Sequence, residues 1–355
     1  MTTVDRNAVL KALDDFPDPE SGRGVVSMEQ VHQLTVDGGQ IELKLGLTTW
    51  SAPLWKETQA RAIEMLESRF PGARVRVEIQ THRRPPEKLG EIGLSAKTVV
   101  AVGSGKGGVG KSTIAATLAY GLKRAGAVVG LMDADVYGPS IPHLVGSEDR
   151  PTIYQNRIQP VVADGIRLMS IGFLVPPEEA VIWRGPMLHN YLTQFLRDTD
   201  WGELDYLVVD MPPGTGDVAI TLSQLLPLTG AIVVCTPQDV ALLDAVKAIS
   251  MFRKVNIDVL GMVENMSSFI CPECKTRHDI FGAGGARRKA EELGVPFLGE
   301  VPIDTQLRIE GDEGRVAASF QTESGPYLAA ICHRLVKNLA ARREAEPPLP
   351  QLSIL

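Results

Sequence analysis

The chain has 355 residues, is 44% hydrophobic and 22% charged, and carries a formal net charge of −7. That balance supports a sizeable core in one large or two ordinary domains. No long Lys/Arg block is present, which argues against a nucleic-acid partner. The first residues, MTTVDRNAVLKALDDF, bring acids early and hold no apolar core, so a secretory signal is not expected. The apolar runs are strand-length, well short of the ~20 residues of a membrane span, so no membrane partner is expected. Four cysteines (Cys235, Cys271, Cys274, Cys332) are too few for a disulfide scaffold, and the cytoplasm is the expected compartment.

In chain order, residues 7–16 read as a helix. Residues 31–47 alternate like a hairpin turning at Asp37-Gly38-Gly39, residues 55–69 read as a helix, and residues 73–79 alternate as a strand. Residues 1–82 are therefore a small α+β domain. Prolines, charges and glycines break the pattern over 83–97, which reads as a linker. From 98 to 343 short apolar runs of buried-strand type recur at 98–102, 128–132, 206–209, 231–235, 259–263 and 297–301, with 166–173 as a further strand or edge element. Helical stretches such as 112–125 and 240–255 separate several of them. This alternation predicts an α/β domain, a mostly parallel sheet covered by helices on both faces. The proline-containing tail 344–355 reads as loose.

The stretch GSGKGGVGKST follows the first of those strands and opens a helix. Within it, Gly105-Lys106-Gly107-Gly108-Val109-Gly110-Lys111-Ser112, with Thr113 next, satisfies G-x-x-x-x-G-K-[ST] in the strand–loop–helix context the motif requires. The glycines let backbone N–H groups curl around phosphate oxygens, and the helix N-terminus adds a favourable dipole. Lys111 is expected to reach the β- and γ-phosphates of ATP, and the Ser112 hydroxyl to ligate Mg²⁺. LVVD ends an apolar strand in Asp210, as a Mg²⁺-binding carboxylate requires, and MPPGTGD behind it is a second flexible loop. LMDAD ends another strand in Asp133 and Asp135.

CPEC places Cys271 and Cys274 in a C-x-x-C between two elements of this domain. A redox dithiol, a closed zinc site and a metal centre shared between two chains all remain open. One chain offers two adjacent thiols where zinc or a cubane cluster calls for about four ligands, and a symmetric pair of chains supplies them. Cys235 and Cys332 read as core residues, and His278 as a polar loop residue.

Lys106 is the departure from a plain P-loop. K-G-G-V-G-K-[ST] resembles the deviant Walker A signature of the MinD, nitrogenase iron protein and Mrp-type ATPases, in which the extra lysine crosses a dimer interface to the partner's nucleotide. With DADVYGPS, WRGPM at 183–187, VVDMPPGTGD, ENMS at 264–267 and CPEC, the chain from about residue 97 to 340 resembles the Mrp/ApbC family of iron–sulfur cluster carrier ATPases. The resemblance implies a P-loop NTPase fold and a homodimer that holds a [4Fe–4S] cluster between paired CPxC motifs. It implies transfer of the cluster to apo iron–sulfur client proteins, and exchange with scaffold proteins, using ATP. It also implies that Asp135 orients the attacking water, that Asp133 lies near the Mg²⁺, and that Asn265, Pro302 and Asp304 stand where relatives hold adenine. Residues 1–82 resemble the small domain often fused to such carriers. Relatives often have a cysteine where this chain reads Thr49-Trp50-Ser51-Ala52-Pro53. The competing class is a MinD-like positioning or partitioning ATPase, whose basic amphipathic C-terminal helix is not matched by EPPLPQLSIL.

Overall fold

A computed structural model describes residues 5–174, 185–214, 217–225, 227–271 and 273–345. The backbone divides into two compact units, one made of residues up to 85 with 125–127 and those from 336 onward, the other of 86–124 and 128–335.

In the first unit, α1 (Arg6–Asp14) is followed by β1 (Val31–Asp37), β2 (Gln40–Leu47), α2 (Trp55–Arg69) and β3 (Arg74–Thr81). β1 and β2 form the expected antiparallel hairpin, with Gly38 and Gly39 both at positive φ in its turn. β3 returns parallel to β2, as the crossover through α2 allows. Val9, Leu13, Ile41, Leu45 and Leu66 fill the core between helices and sheet.

A buried ionic cluster closes this unit. The Asp18 carboxylate, fully buried, accepts hydrogen bonds from Ser21 N (2.9 Å), Ser21 Oγ (2.7 Å), Gln30 Nε2 (3.0 Å) and an Arg84 guanidinium nitrogen (2.8 Å). Burial acts to raise its pKa. The Arg84 charge and the hydrogen bonds from Gln30, Arg84 and Ser21 outweigh it, and the carboxyl sits below its ordinary value. Arg84→Ala strands that charge, and should destabilise this unit by about 3 kcal/mol at neutral pH. The wild-type contribution is present above the unfolded-state pKa of Asp18 and is lost as pH falls through the depressed folded value, so the penalty should shrink in acid. Hydrogen exchange of β1 and β2 in the full chain measures it; protection unchanged from wild type would contradict the assignment.

The second unit opens with β4 (Lys88–Leu89), which turns back antiparallel onto β5 (Leu94–Gly103). The expected linker is thus partly sheet: β5 begins at Leu94, and Leu94 and Ala96 are buried in the core. There follow α3 (Lys111–Ala125), β6 (Val129–Asp133), α4 (Ile141–Val145), β7 (Thr152–Tyr154), β8 (Arg157–Gln159), β9 (Val161–Ala163), β10 (Ile166–Ser170) and α5 (Gly185–Arg197). The chain continues through β11 (Leu204–Asp210), α6 (Asp217–Leu225), β12 (Gly230–Cys235), α7 (Asp239–Lys254), β13 (Val259–Ile270), β14 (Arg277–His278), α8 (Gly285–Leu293), β15 (Phe297–Ile303), α9 (Thr305–Asp312) and α10 (Gly325–Ala345).

Strands β15, β13, β12, β5, β11, β6 and β10 pair parallel in that order, with β9 antiparallel at one edge. Their sequences are the near-continuous apolar runs that a sheet buried on both faces demands. The predicted strands are all present, and the segment 166–173 resolves into strand β10 and a 3₁₀ turn. β13 is far longer than the expected 259–263. Residues from 336 onward group with the first unit. Residues 346–355 of the tail, and Trp183 and Arg184 of WRGPM, lie outside the described residues.

Candidate functional site: a P-loop with three carboxylates, and a cysteine hairpin

The parallel strands end at one edge of the sheet, where a doubly wound fold places its ligands. β5 leads into the loop 104–110 and α3 starts at Lys111, so the free N–H groups of the helix face the loop. Gly108 (φ 78°) and Gly110 (φ 81°) take left-handed backbone that a side chain would strain. Gly105 is required for a different reason: a Cβ there would lie 2.2 Å from the backbone of Asp244 in α7. Gly214 N donates to Ser104 O (2.8 Å), so the loop after β11 is laid against the phosphate loop.

Lys111 is buried and its ammonium sits among acids. Nζ donates to Asp210 Oδ1 at 2.6 Å and to Ser112 Oγ at 3.1 Å, and lies 3.6 Å from Asp135 Oδ2. Asp210 and Asp133 are neighbours across β11 and β6, both fully buried. Burial raises the Asp210 pKa and the Lys111 charge lowers it, with a net rise. Burial and the nearby Asp210 charge push Asp133 up to about 8. The Asp133 oxygens receive Asp135 N (3.0 Å), Ile141 N (3.2 Å) and Ser170 Oγ (3.0 Å). Asp133 thereby ties down both ends of the loop that carries Asp135. Ser170 of β10 has no motif around it, and nothing in the sequence marks this role.

Asp210 Oδ2 is buried with no hydrogen-bond partner among the described residues. An orphaned carboxylate oxygen close to Ser112 suits a hard divalent cation with oxygen ligands, so these residues fit Mg²⁺. Lys106 is half-buried on the loop, with no side-chain partner among the described residues. Gly107 and Gly108 are exposed, and Thr113 follows in the first turn of α3.

The residues matched to an adenine pocket are placed less simply. Asn265, buried in β13, donates from Nδ2 to Val109 O at 2.9 Å and so holds the phosphate loop. Asn265 pairs with Val301, so Pro302 and Asp304 reach the same edge of the sheet. Asp304 caps α9, accepting from Gln306 N (2.8 Å) and Leu307 N (3.3 Å), and takes Ser324 N (3.1 Å) on its other oxygen.

β13 continues past Asn265 to Ile270 and pairs antiparallel with β14, Phe269 opposite His278 and Ile270 opposite Arg277. Cys271 and Cys274 lie in the turn of this hairpin, the first half-buried and the second exposed. Cys271 N donates to Thr276 O (3.0 Å) and Lys275 N to Cys271 O (2.9 Å), with Lys275 in left-handed backbone (φ 58°). The Cys274 thiol donates to Thr276 Oγ1 at 3.2 Å. The same hydroxyl can turn to donate to a thiolate, and hydrogen bonding from Thr276 is the largest of the influences that draw Cys274 down to about 7. Thr276→Val should move the midpoint of Cys274 alkylation upward, toward the ordinary thiol value near ~8.5, as read from the pH profile of iodoacetamide labelling. An unmoved midpoint would dismiss the hydroxyl's role. Cys235 and Cys332 are buried, their thiols pushed up to about 12 by burial, and His278 is exposed beside Phe269.

Comparison with known proteins agrees with this geometry. Residues 95–340 match the family described as NUBPL iron-transfer P-loop NTPase, and residues 6–79 match the iron–sulfur cluster assembly protein family. An iron–sulfur cluster carrier protein of Deinococcus radiodurans is 44% identical over 98% of this chain and 99% of its own length. One from Escherichia coli K12 is 40% identical over 95% of this chain and 92% of its own. Among solved structures, a nucleotide-binding protein from Archaeoglobus fulgidus in complex with ADP is 42% identical, with a TM-score of 0.57 over 62% of this chain and 88% of that one. The cell division ATPase MinD of Pyrococcus furiosus shares the fold at a TM-score of 0.51 and 20% identity, over 68% of this chain and 98% of that one. Among the described residues no helix is long and apolar enough to cross a membrane. A phosphate loop set beside the buried carboxylates of Asp133, Asp135 and Asp210, together with a match spanning 95–340, makes this chain a member of the NUBPL iron-transfer P-loop NTPase family.

Proposed function

We propose that the chain is a cytoplasmic ATP-hydrolysing carrier whose homodimer holds a [4Fe–4S] cluster as cargo between two Cys271–Cys274 pairs and delivers it to apo-proteins. The observation that carries this reading is the cysteine hairpin: two thiols, one exposed and poised near neutrality, at the tip of the strand that also holds the phosphate loop. Among the described residues no cluster of three or more His, Cys, Asp or Glu could hold a metal within one chain. Two chains bring about four thiolates together, the number a cubane requires. Exposed sulfur ligands also suit release, because a client's thiolates can replace them one at a time without any change of oxidation state.

ATP would lie with its phosphates on the loop 105–110 and the N-terminus of α3, with Lys111 and Thr113 at the phosphates. Ser112 and Asp210 would hold Mg²⁺, which when bound supplies positive charge to the phosphates. Asp133 braces the loop that positions Asp135 beside the attacking water, and Lys106 supplies a cation to the partner's nucleotide once two subunits close. The Asn265, Pro302 and Asp304 edge would receive the adenine.

Anaerobic reconstitution of the full chain with iron and sulfide tests the cargo assignment. The expected product holds about four iron and four sulfide per dimer. One zinc per dimer without sulfide would replace the carrier by a zinc-stapled dimer, and no metal at all would favour a MinD-like switch.

A further inference from the structure

β13 contacts the phosphate loop through Asn265 and leads at its end directly into Cys271, the first cargo thiol candidate, and the backbone between them is not ordinary strand. Met266 has φ 57°, left-handed backbone that a non-glycine residue seldom adopts. The pairing with β15 slips at this point, from Asn265 opposite Val301 to Phe269 opposite Ile303. Ser267 Oγ is buried there without a hydrogen-bond partner among the described residues. The left-handed backbone at Met266, coinciding with the slip in pairing, marks a strand held against its local preference.

The two sides of the kink differ in how they are held. On the N-terminal side, the buried Glu264 accepts from Gly284 N (3.2 Å) and Ala286 N (2.7 Å) at the start of α8 and pairs with Cys235 and Glu300 in the neighbouring strands. Asn265 has no slack: a Cβ on Gly110 would lie 2.2 Å from its Nδ2. Beyond the kink, Phe269 and Ile270 are held by the two-residue strand β14 and by a single pairing to β15.

We infer that Asn265 is a positioning residue that couples the phosphate loop to the cysteine hairpin, with the backbone of Met266 as the element that switches. A shift of Val109 and Gly110 on nucleotide binding is passed to the Asn265 carboxamide, and the anchored Glu264 leaves only the C-terminal side free to respond. Returning Met266 to extended backbone reverses which face each following side chain takes, because strand side chains alternate with a period of two. The change reorients Cys271 and Cys274 within a reach of at most about 20 Å. Reciprocity then follows: whatever the hairpin holds alters nucleotide affinity by the same factor.

This inference rests on the carrier reading for its purpose, but its test needs no cargo. The rate of iodoacetamide labelling of Cys271 and Cys274 is measured in cluster-free, reduced, full-length protein, with and without a non-hydrolysable ATP analogue and Mg²⁺ at concentrations shown by titration to saturate each variant. Wild type should show a change of roughly fivefold or more. In Asn265→Asp, which keeps the shape but loses the N–H donor, the ratio should fall to about one, and Met266→Gly, which removes the backbone preference, should also bring it near one. A wild-type ratio of one, or a wild-type ratio retained by both variants, overturns the coupling. If the ratio responds as expected while reconstitution yields no cluster, the coupling stands and the carrier reading falls; a cluster with an unresponsive ratio gives the reverse.

Discussion

Lys111→Ala is expected to lower ATP turnover by at least roughly 100- to 1,000-fold, the cost of removing a single preorganised hydrogen-bond donor from an oxyanion-type site. Its ammonium is the only cation placed within 4 Å of Asp210 and Asp135 among the described residues. Removing it takes away the contact to the phosphates and leaves two carboxylates facing an anionic substrate. Asp210, whose pKa burial already raises, loses the charge that offsets that rise, which disfavours the anion that Mg²⁺ needs. Binding and turnover should therefore fail together. Phosphate release and nucleotide titration in the same preparation provide the check, and turnover within threefold of wild type would remove Lys111 from the site. Removing the buried ammonium also strands the Asp210 charge, so a loss of stability of about 3 kcal/mol should accompany the loss of turnover, as read by denaturant unfolding of the same preparation.

The second large effect concerns cargo. Cys271→Ser and Cys274→Ser should each abolish cluster absorbance and transfer to an apo-protein, because a hydroxyl is a poor ligand for iron and each substitution removes two ligands from a symmetric dimer. The hairpin itself should persist. Its backbone bonds run from Cys271 N to Thr276 O and from Lys275 N to Cys271 O, and neither uses a sulfur atom. ATP binding should be retained for the same reason. A serine variant that still assembles cluster at the wild-type level would show that the ligands lie elsewhere.

The large unit was legible wherever burial and apolarity coincide. The runs at 98–102, 206–209 and 231–235 became central strands because residues such as Val99, Leu207 and Val233 are covered on both sides of the sheet. The phosphate loop was equally plain, since backbone curvature at Gly108 and Gly110 and close approach at Gly105 leave few other residues usable. The continuation of β13 was hidden by composition. Glu264, Asn265, Ser267 and Ser268 are all buried, yet the expected strand stops at 263, because apolar periodicity cannot find a strand whose polar groups are used on a helix N-terminus and a phosphate loop. The β4–β5 hairpin was missed for a related reason: its two-residue arm is too short to show alternation. Asn265 was placed by resemblance at the nucleotide; its bond to Val109 O, which ties β13 to the phosphate loop, had no signal in the sequence.

The placement of β5 has a consequence for how the protein is made. Its two parallel neighbours arrive late: Val99 pairs with Leu207 and Val100 with Gly230. The strand that leads into the phosphate loop therefore leaves the ribosome long before either partner exists, and Lys111 waits 99 residues for Asp210. At synthesis rates of about 5–20 residues per second, that interval lasts on the order of 5–20 s, during which a strand whose second half, Val99–Val102, is wholly apolar has only the short β4 arm beside it. Non-local parallel pairing is slow to form, and a strand left uncovered is open to pairing with other chains. The newborn chain should thus depend on chaperones until β11 and β12 have been made, and an N-terminal fragment ending before residue 204 should carry an intact phosphate-loop sequence yet bind no nucleotide.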